Sequence, residues 1–293
     1  MRGLPRQMSG RELPAGLRLL AIAGTAAALL TFELRRSLRP ERREPKLVRS
    51  VRNLVIATLA GFVVGALEGP LSHRVARHME DEELGLAPMI GRSPAVRVIT
   101  AVVALDYGLY LWHVLTHRVP FLWRFHLVHH VDLGMDQSTA IRFHFGEMLL
   151  SVPWRLAQIR LAGATPLAVS IWQTLLFCSI LFHHSNVRLP YSVERWLRFL
   201  IVTPRLHDIH HRAERWATDS NWSSGLACWD LLHGTYLWCD SQAPIGVPAW
   251  QNASDVTLLK SLRIPFEPQR DDWLSDDGAD HSAVHSQGGA IGR

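Results

Sequence analysis

Histidine is the residue type here whose number and spacing could do chemistry. The 293-residue sequence holds 16 histidines, and eleven of them fall between His113 and His211. His113-Val-Leu-Thr-His117 places two imidazoles at i and i+4. On a helix such a pair shares one face, with Cβ atoms about 5–6 Å apart, so both rings can reach one metal ion. His126-Leu-Val-His129-His130 and His207-Asp-Ile-His210-His211 share an HxxHH spacing. Between these boxes stand His144, in RFHFGE, and the pair His183-His184, in FHHSN. One histidine near a membrane surface is an ordinary amphipathic side chain, but three boxes at ligand spacing point to a metal site.

The ligand type narrows the metal. Imidazole suits zinc, copper, iron and nickel, whereas magnesium and calcium prefer oxygen. The candidate ligands exceed what one ion takes, which implies two. There is no HExxH motif, so the zinc-protease reading lacks its glutamate. Cys178, Cys228 and Cys239 are too scattered for a thiolate cluster or a disulfide framework and read as core or interface residues. Two irons in a neutral imidazole cage opening on a bilayer would suit oxidation of a buried C–H bond.

Running the face of the first box backwards gives Tyr110 and Asp106, a polar stripe on an otherwise apolar helix. An ionisable group inside a membrane span is costly and marks a functional site by default. Asp106 is expected to accept a hydrogen bond from a ligand histidine and fix its tautomer. Tyr110, Asp208 and Glu147 are further candidates to support ligands. His73, His78, His281 and His285 lie outside the constellation and read as solvated. The roles of His183 and His233 stay open.

These boxes need elements to position them. Hydrophobic residues make up 48% of the chain and charged residues 19%, against about 25% charged in ordinary soluble domains. The apolar residues gather in blocks. Leu17–Leu34 approaches the roughly 20 residues that cross a bilayer and is closed by Arg35 and Arg36, as in a signal anchor rather than a cleaved peptide. Leu54–Leu71 and Val96–Leu115 are similar. Residues 146–182 hold two apolar stretches broken by Pro153, Arg155, Arg160, Gly163 and Pro166, expected to form a hairpin that dips into or crosses the membrane.

The loop RRSLRPERREPKLVRSVR carries eight basic residues and is cytoplasmic by the positive-inside rule. The N-terminus and residues 72–94 are then outside, and every histidine box falls on the cytoplasmic side. Helix is the default for membrane segments. The expected fold is all-α: a multi-span transmembrane helical bundle whose cytosolic-side helical cap carries a histidine-rich di-metal site. Residues 1–94 would supply N-terminal transmembrane helices and the basic loop. Residues 241–293 read as a polar, disordered tail. The net charge of +5 suits an anionic membrane surface, and no aromatic-interleaved basic groove for nucleic acid is visible.

The run DYGLYLWHVLTHRVPFLWRFHLVHHVD resembles the core of the fatty acid hydroxylase/sterol desaturase superfamily, as do IRFHFGE, FHHSN, TPRLHDIHH and WDLLHGTY. The resemblance covers roughly residues 96–240 and implies a catalytic domain over 95–240. It implies a membrane-embedded non-haem enzyme with two iron ions, for which zinc can substitute in purified material. It carries the ligand role onto His113, His117, His126, His129, His130, His184, His207, His210 and His211, with His144 matching a further family histidine. It implies O2-dependent hydroxylation or desaturation of a fatty acyl, sterol-like or ether lipid. In a bacterium the location would be the inner or cell membrane.

Such turnover needs electrons. The chain has no GxGxxG and no cysteine cluster, so a separate electron-transfer protein is expected. The basic loop 35–52 with Arg188, Arg205, Arg212 and Arg215 is a candidate surface for an acidic donor. Trp112, Phe121, Trp123 and Phe125 could line a lipid entrance or anchor the chain at the membrane surface. Arg118 and Arg124 suit lipid headgroups. The competing reading is a histidine-rich membrane metal transporter or sensor, whose ligands should scatter through the spans near the midplane.

Overall fold

The structure is a computed structural model that describes residues 10–39, 43–239, 243–270 and 272–273. Among these residues there is no β-strand, only isolated bridges such as Ser37 with Val187 and Ile201 with Leu226. The chain is helical, as the absence of alternating apolarity requires.

Among the described residues, four helices are long and apolar enough to cross a membrane. The first is α1, Ala15–Arg35. The second starts as α2, Lys46–Val63, passes through a widened π turn at Val64–Glu68 and continues as α3, Gly69–Glu82. At 1.5 Å per residue that rod is about 55 Å long, well beyond the roughly 30 Å hydrocarbon core, so both polar ends project beyond it. A short α4, Leu86–Ile90, leads into α5, Pro94–Arg118. The fourth apolar helix is α8, Pro166–His184.

The sequence places α6 (Pro120–His130) and α7 (Phe145–Ala162) between α5 and α8. Residues 146–182 do form two helices around a turn at Gly163. They are not a closely packed pair, because α5 lies between them. Helices α2 and α3 pack on α7, and α1 packs on α8. The turn is tight: Gly163 and Gly85 both take positive φ, 65° and 92°, and a Cβ on Gly163 would collide with the Leu84 carbonyl. Only glycine tolerates both demands.

Helix α7 packs on α2 and α3 with its central charge answered. Arg155 Nε lies 3.3 Å from Glu68 Oε1 on the π turn, and its guanidinium covers the Trp172 ring at 4.5 Å. The two charges thus answer each other.

The cap is built from α6, α9 (Tyr191–Leu197), α10 (Pro204–His210), α11 (Arg215–Thr218), α12 (Cys228–His233) and α13 (Leu258–Arg263). Part of the expected polar tail is folded. Val247, Trp250, Val256 and Ile264 pack with Leu127, Val128, Val131 and Leu133 beneath α6. A few large apolar residues spaced through a polar segment suffice to seat it. Within the tail, His281 and His285 lie outside the described residues. His73 pairs with Glu12 at 2.7 Å, and His78 is exposed.

The basic loop is largely not a free charged surface. Arg49 binds Asp132 at 2.9 Å and also Asp136, and Arg52 forks onto Glu44 with two bonds of 2.7 Å. Asn53 and Thr139 both donate to Asp132 at 2.8 Å. Burial alone would raise the Asp132 pKa, but Arg49, Arg142, Arg52 and the Thr139 hydroxyl outweigh it and hold the carboxyl below its ordinary value. Arg39 and Arg212 both close on Asp208. Arg39, Arg49 and Arg52 thus join the loop to the cap instead of facing a partner.

Candidate metal centre

Among the described residues, nine histidines converge in two groups. His113, His117, His126, His130 and His210 form one, and His129, His184, His207 and His211 the other; within each group the ligand atoms lie within 4.8 Å of one another. Helix α5 delivers the first box from the membrane side, and α6 and α10 deliver the HxxHH boxes from the cap. The last turn of α8 brings His184. Each of α5, α6, α8 and α10 begins with proline in its first turn, which suits a helix start whose N–H groups lack partners anyway. Thr203 and Thr165 cap α10 and α8 through their side chains.

In the five-histidine group the outer nitrogens are held. His113 Nδ1 donates to the Trp222 carbonyl at 2.7 Å, His210 Nδ1 to the Ser220 carbonyl at 2.7 Å, and His126 Nδ1 to Glu147 Oε1 at 2.9 Å. A carbonyl only accepts, so the proton sits on Nδ1 and the Nε2 lone pair faces inward. The Nε2 atoms of His113, His117, His126 and His210 are buried with no hydrogen-bond partner, as are both nitrogens of His130. Orphaned buried polar atoms are rare in a folded protein. Four or five lone pairs aimed at one point are the arrangement a cation would satisfy.

The four-histidine group is tighter. His184 Nδ1 donates to the Ile180 carbonyl at 2.8 Å. Its Nε2 lies 3.1 Å from His129 Nε2 and 3.0 Å from His207 Nε2, and His211 Nε2 lies 3.2 Å from His207 Nε2. An imidazole nitrogen sits about 2.1 Å from an ion such as zinc, so ligand nitrogens lie about 3.0 Å apart at right angles and about 3.4 Å apart at the tetrahedral angle. The observed spacing fits ligands around one ion. Phe143 stacks on the His129 ring at 4.6 Å and limits its rotation.

Burial, then the neighbouring imidazoles, hold His129, His130, His207 and His211 well below the usual histidine range. Burial likewise takes His210 to about 3. These rings are neutral at physiological pH, the form that binds metal.

His144 does not join either group. It caps α7: Nδ1 accepts from the Gly146 N–H at 3.0 Å and Nε2 faces the Leu262 carbonyl at 3.3 Å. His183 is buried beside the smaller group, its ring 4.1 Å from that of His207. His233 is exposed and bonds Tyr107 Oη at 3.1 Å.

Of the four expected supporting residues, Glu147 meets a box histidine. Asp106 instead accepts from Trp229 Nε1 at 2.7 Å and the Leu226 N–H at 3.1 Å, where the absent side chain of Gly225 makes room for it. Tyr110 Oη pairs with Thr235 at 3.1 Å. Asp208 holds Arg39 and Arg212. The carbonyls of Trp222, Ser220 and Ile180 do the positioning that sequence reasoning had sought among side chains. Any residue offers a carbonyl, so these left no signal.

A cleft of about 230 Å³ reaches His117, lined also by Arg118, Trp123, Arg215, Asp219 and Trp273. The other aromatics between the boxes do not open a passage: Trp112 packs on Trp154 and Phe125 on His144, while Phe121 is exposed.

Residues 98–235 match the family model described as fatty acid hydroxylase. Ornithine lipid hydroxylase OlsE of Rhizobium tropici is 34% identical over 143 residues, 48% of this chain and 42% of that protein. Alkylglycerol monooxygenase of Homo sapiens is 27% identical over 144 residues, 47% of this chain and 30% of its own. Cholesterol 25-hydroxylase of Mus musculus is 25% identical over 140 residues, 47% of this chain and 46% of its own. The aligned segments thus span under half the length of each of these relatives. No solved structure matches.

Proposed function

We propose that this chain, whose residues 98–235 belong to the fatty acid hydroxylase family, is a membrane-embedded oxidoreductase that hydroxylates a lipid at a pair of iron ions. The carrying observation is the convergence of nine histidines from four helices into two groups of inward-facing nitrogens. His113, His117, His126, His130 and His210 would hold one ion, and His129, His184, His207 and His211 the other.

The donor set fits. It is neutral, imidazole-only and buried, and it leaves no thiolate to favour an iron–sulfur cluster. A bound iron pair supplies activation of O2 toward an unreactive C–H bond. The chain's own residues do the rest. Trp222, Ser220 and Ile180 carbonyls and the Glu147 carboxylate fix tautomers and ring orientation. Buried packing around the groups, with Leu127, Val128, Leu206 and Ile209 shut away from solvent, keeps water out and limits side reactions.

Insertion of one oxygen atom from O2 consumes two electrons and two protons, releasing the second oxygen as water. The donor of those electrons is a separate protein in this reading, and the cleft that reaches His117 is where it would approach the site. The basic loop between α1 and α2 supports a cytoplasmic position for the cap. Relatives named as hydroxylases and a monooxygenase favour hydroxylation over desaturation. Histidines gathered at one end of the bundle, rather than spread through the spans, favour an enzyme over a transporter.

The test is lipid profiling of a strain lacking the gene beside one expressing His129→Ala. The same hydroxylated lipid should vanish from both and return with the wild-type gene. An unchanged lipid profile, in cells where the wild-type protein carries two irons, would sink the proposal.

A further inference from the structure

A second polar site lies at the membrane-facing edge of the cap. Arg36, Arg188 and Arg205 line an open cleft of about 410 Å³ together with Leu189, Pro190 and Tyr191. The cleft is built, not accidental. The Arg188 N–H donates to the Arg36 carbonyl at 2.8 Å, and the Leu38 N–H to the Asn186 carbonyl at 3.0 Å. This pairing fixes the end of α1 against the strand-like segment that follows His184.

The charges are unevenly answered. Glu194 is buried and binds Arg205 Nε at 3.2 Å. Arg188 makes one long contact, 3.4 Å to the Leu38 carbonyl. Arg36 and Arg188 are exposed, and nearby Asp208 is already taken by Arg39 and Arg212. The cleft therefore keeps a net positive charge.

Its surroundings set its depth. Leu34, on the last turn of the apolar helix α1, is 74% exposed. On the other side α9 turns Tyr191, Val193 and Trp196 outward, and Leu200 follows; each is more than half exposed. Arg195 and Arg198 lie over the rings of Trp196 and Phe199. A short helix with exposed aromatics, arginines beside them and its one acid buried has the make-up of an element lying in the membrane surface. The arginine cleft then stands at headgroup level.

We infer that this cleft binds the anionic headgroup of a membrane lipid, with Arg36 and Arg188 as its principal contacts. Guanidinium groups match the oxygen geometry of phosphate and carboxylate. The apolar rim formed by Leu34, Tyr191 and Leu200 would take the acyl chains. The site stands four residues from His184 and two from His207 along the chain, so a lipid held there also braces both segments. The inference does not rest on the metal chemistry, and its readout is lipid retention rather than turnover.

Full-length protein in mild detergent would be offered phosphatidylglycerol or phosphatidylcholine, and retained lipid counted by native mass spectrometry. The wild type should keep phosphatidylglycerol preferentially. Each arginine removed should weaken this about five-fold, so Arg36→Gln with Arg188→Gln should cost about twenty-five-fold, and Lys at both positions should restore most of it. Unchanged elution profile and metal content establish that the variants are folded; should the double variant misfold, Arg188→Gln alone carries the test. Equal retention by wild type and folded variant would overturn the inference. So would binding of inorganic phosphate in place of lipid, or a variant that keeps its lipid but loses affinity for an acidic protein.

Discussion

His130 and His211 stack face to face, ring centroids 4.4 Å apart and planes 15° from parallel, although they belong to different histidine groups. The stack shows how the boxes are used. His126 and His130 serve the larger group while His129 serves the smaller. His210 serves the larger group while His207 and His211 serve the smaller. Each HxxHH box is therefore divided between two sites, and neither site can form without both α6 and α10.

That division separates variants by the ion they should lose. His113→Ala removes a ligand of the larger group alone, and His184→Ala one of the smaller alone. Each purified variant should fall from about two ions per chain toward one, measured by elemental analysis. His130→Ala should disturb both sites, because its ring also packs on His211. Loss of both ions from His113→Ala would mean that the groups are not separate sites.

Glu147 offers a finer test. It holds His126 Nδ1 at 2.9 Å from the first turn of α7. Groups that orient a ligand typically carry a 10–100-fold effect on metal affinity or activity. Glu147→Ala should weaken metal retention against a chelator by about 10–100-fold. Glu147→Gln, which still presents an acceptor oxygen, should fall between that and the wild type. Equal behaviour of Gln and Ala would mean that the negative charge matters and not the hydrogen bond.

Spacing made the histidine groups legible and concealed the rest, for a physical reason. A helix turns about 100° per residue, so offsets of 3 and 4 mark one broad face but do not say which of two ions a ring on that face meets. Asp106 is buried on α5, as an ionisable residue in an apolar helix suggests, but it meets no box histidine. Its partners, Gly225, Leu226 and Trp229, come from about 120 residues further on and carry no charge to betray them. The arginines at 39 and 49 suit a docking surface by sequence for the opposite reason: their acids, Asp208, Asp132 and Asp136, lie far along the chain, while Arg52 meets Glu44 within the loop. His144 shared the sequence company of the ligands, but the turn into α7 spends its nitrogens on the backbone.

The buried cluster around Asp132 yields a stability prediction. Arg49, Arg52, Asn53 and Thr139 all address this fully buried carboxylate, two residues after His130. Removing it takes from Arg49 and Arg52 one of two counter-charges, Asp136 and Glu44 remaining, so the cost should stay within the about 3–5 kcal/mol of a fully broken buried pair. Asp132→Ala should lower the unfolding midpoint in detergent sharply, with loss of metal as α6 loosens. Asp132→Asn keeps hydrogen-bonding oxygen and should be milder. A wild-type midpoint for the alanine variant would show that the ion pairs do not hold the cap.

Arg155 on α7 and Glu68 on the π turn make the same argument away from the cap. Either charge alone is stranded, so Arg155→Ala and Glu68→Ala should each destabilise by about 3–5 kcal/mol. Removing both leaves no stranded charge, so the double variant should be less damaged than the sum of the singles. Thermal unfolding of all four proteins in one detergent gives the comparison. Simple additivity would mean that the 3.3 Å contact contributes nothing.

Trp250 decides what the C-terminal segment is for. Its ring is 4% exposed beneath α6, under the Arg270 guanidinium at 4.0 Å, and its Nε1 donates to Asp272 at 2.9 Å. Asp272 also accepts from Trp123 Nε1 at 2.9 Å, and the Trp123 ring lies 5.0 Å from that of His117. Packing thus connects Trp250 and Asp272 to the candidate ligand His117 through Trp123. Trp250→Ala should cost about 3–5 kcal/mol and loosen the larger histidine group, seen as faster metal release to a chelator. Truncation after residue 273 keeps Asp272 and should leave metal release unchanged, whereas truncation after 243 should reproduce the tryptophan variant. If both truncations behave like the wild type, the segment is a passive cover and the metal centre is held by the other helices alone.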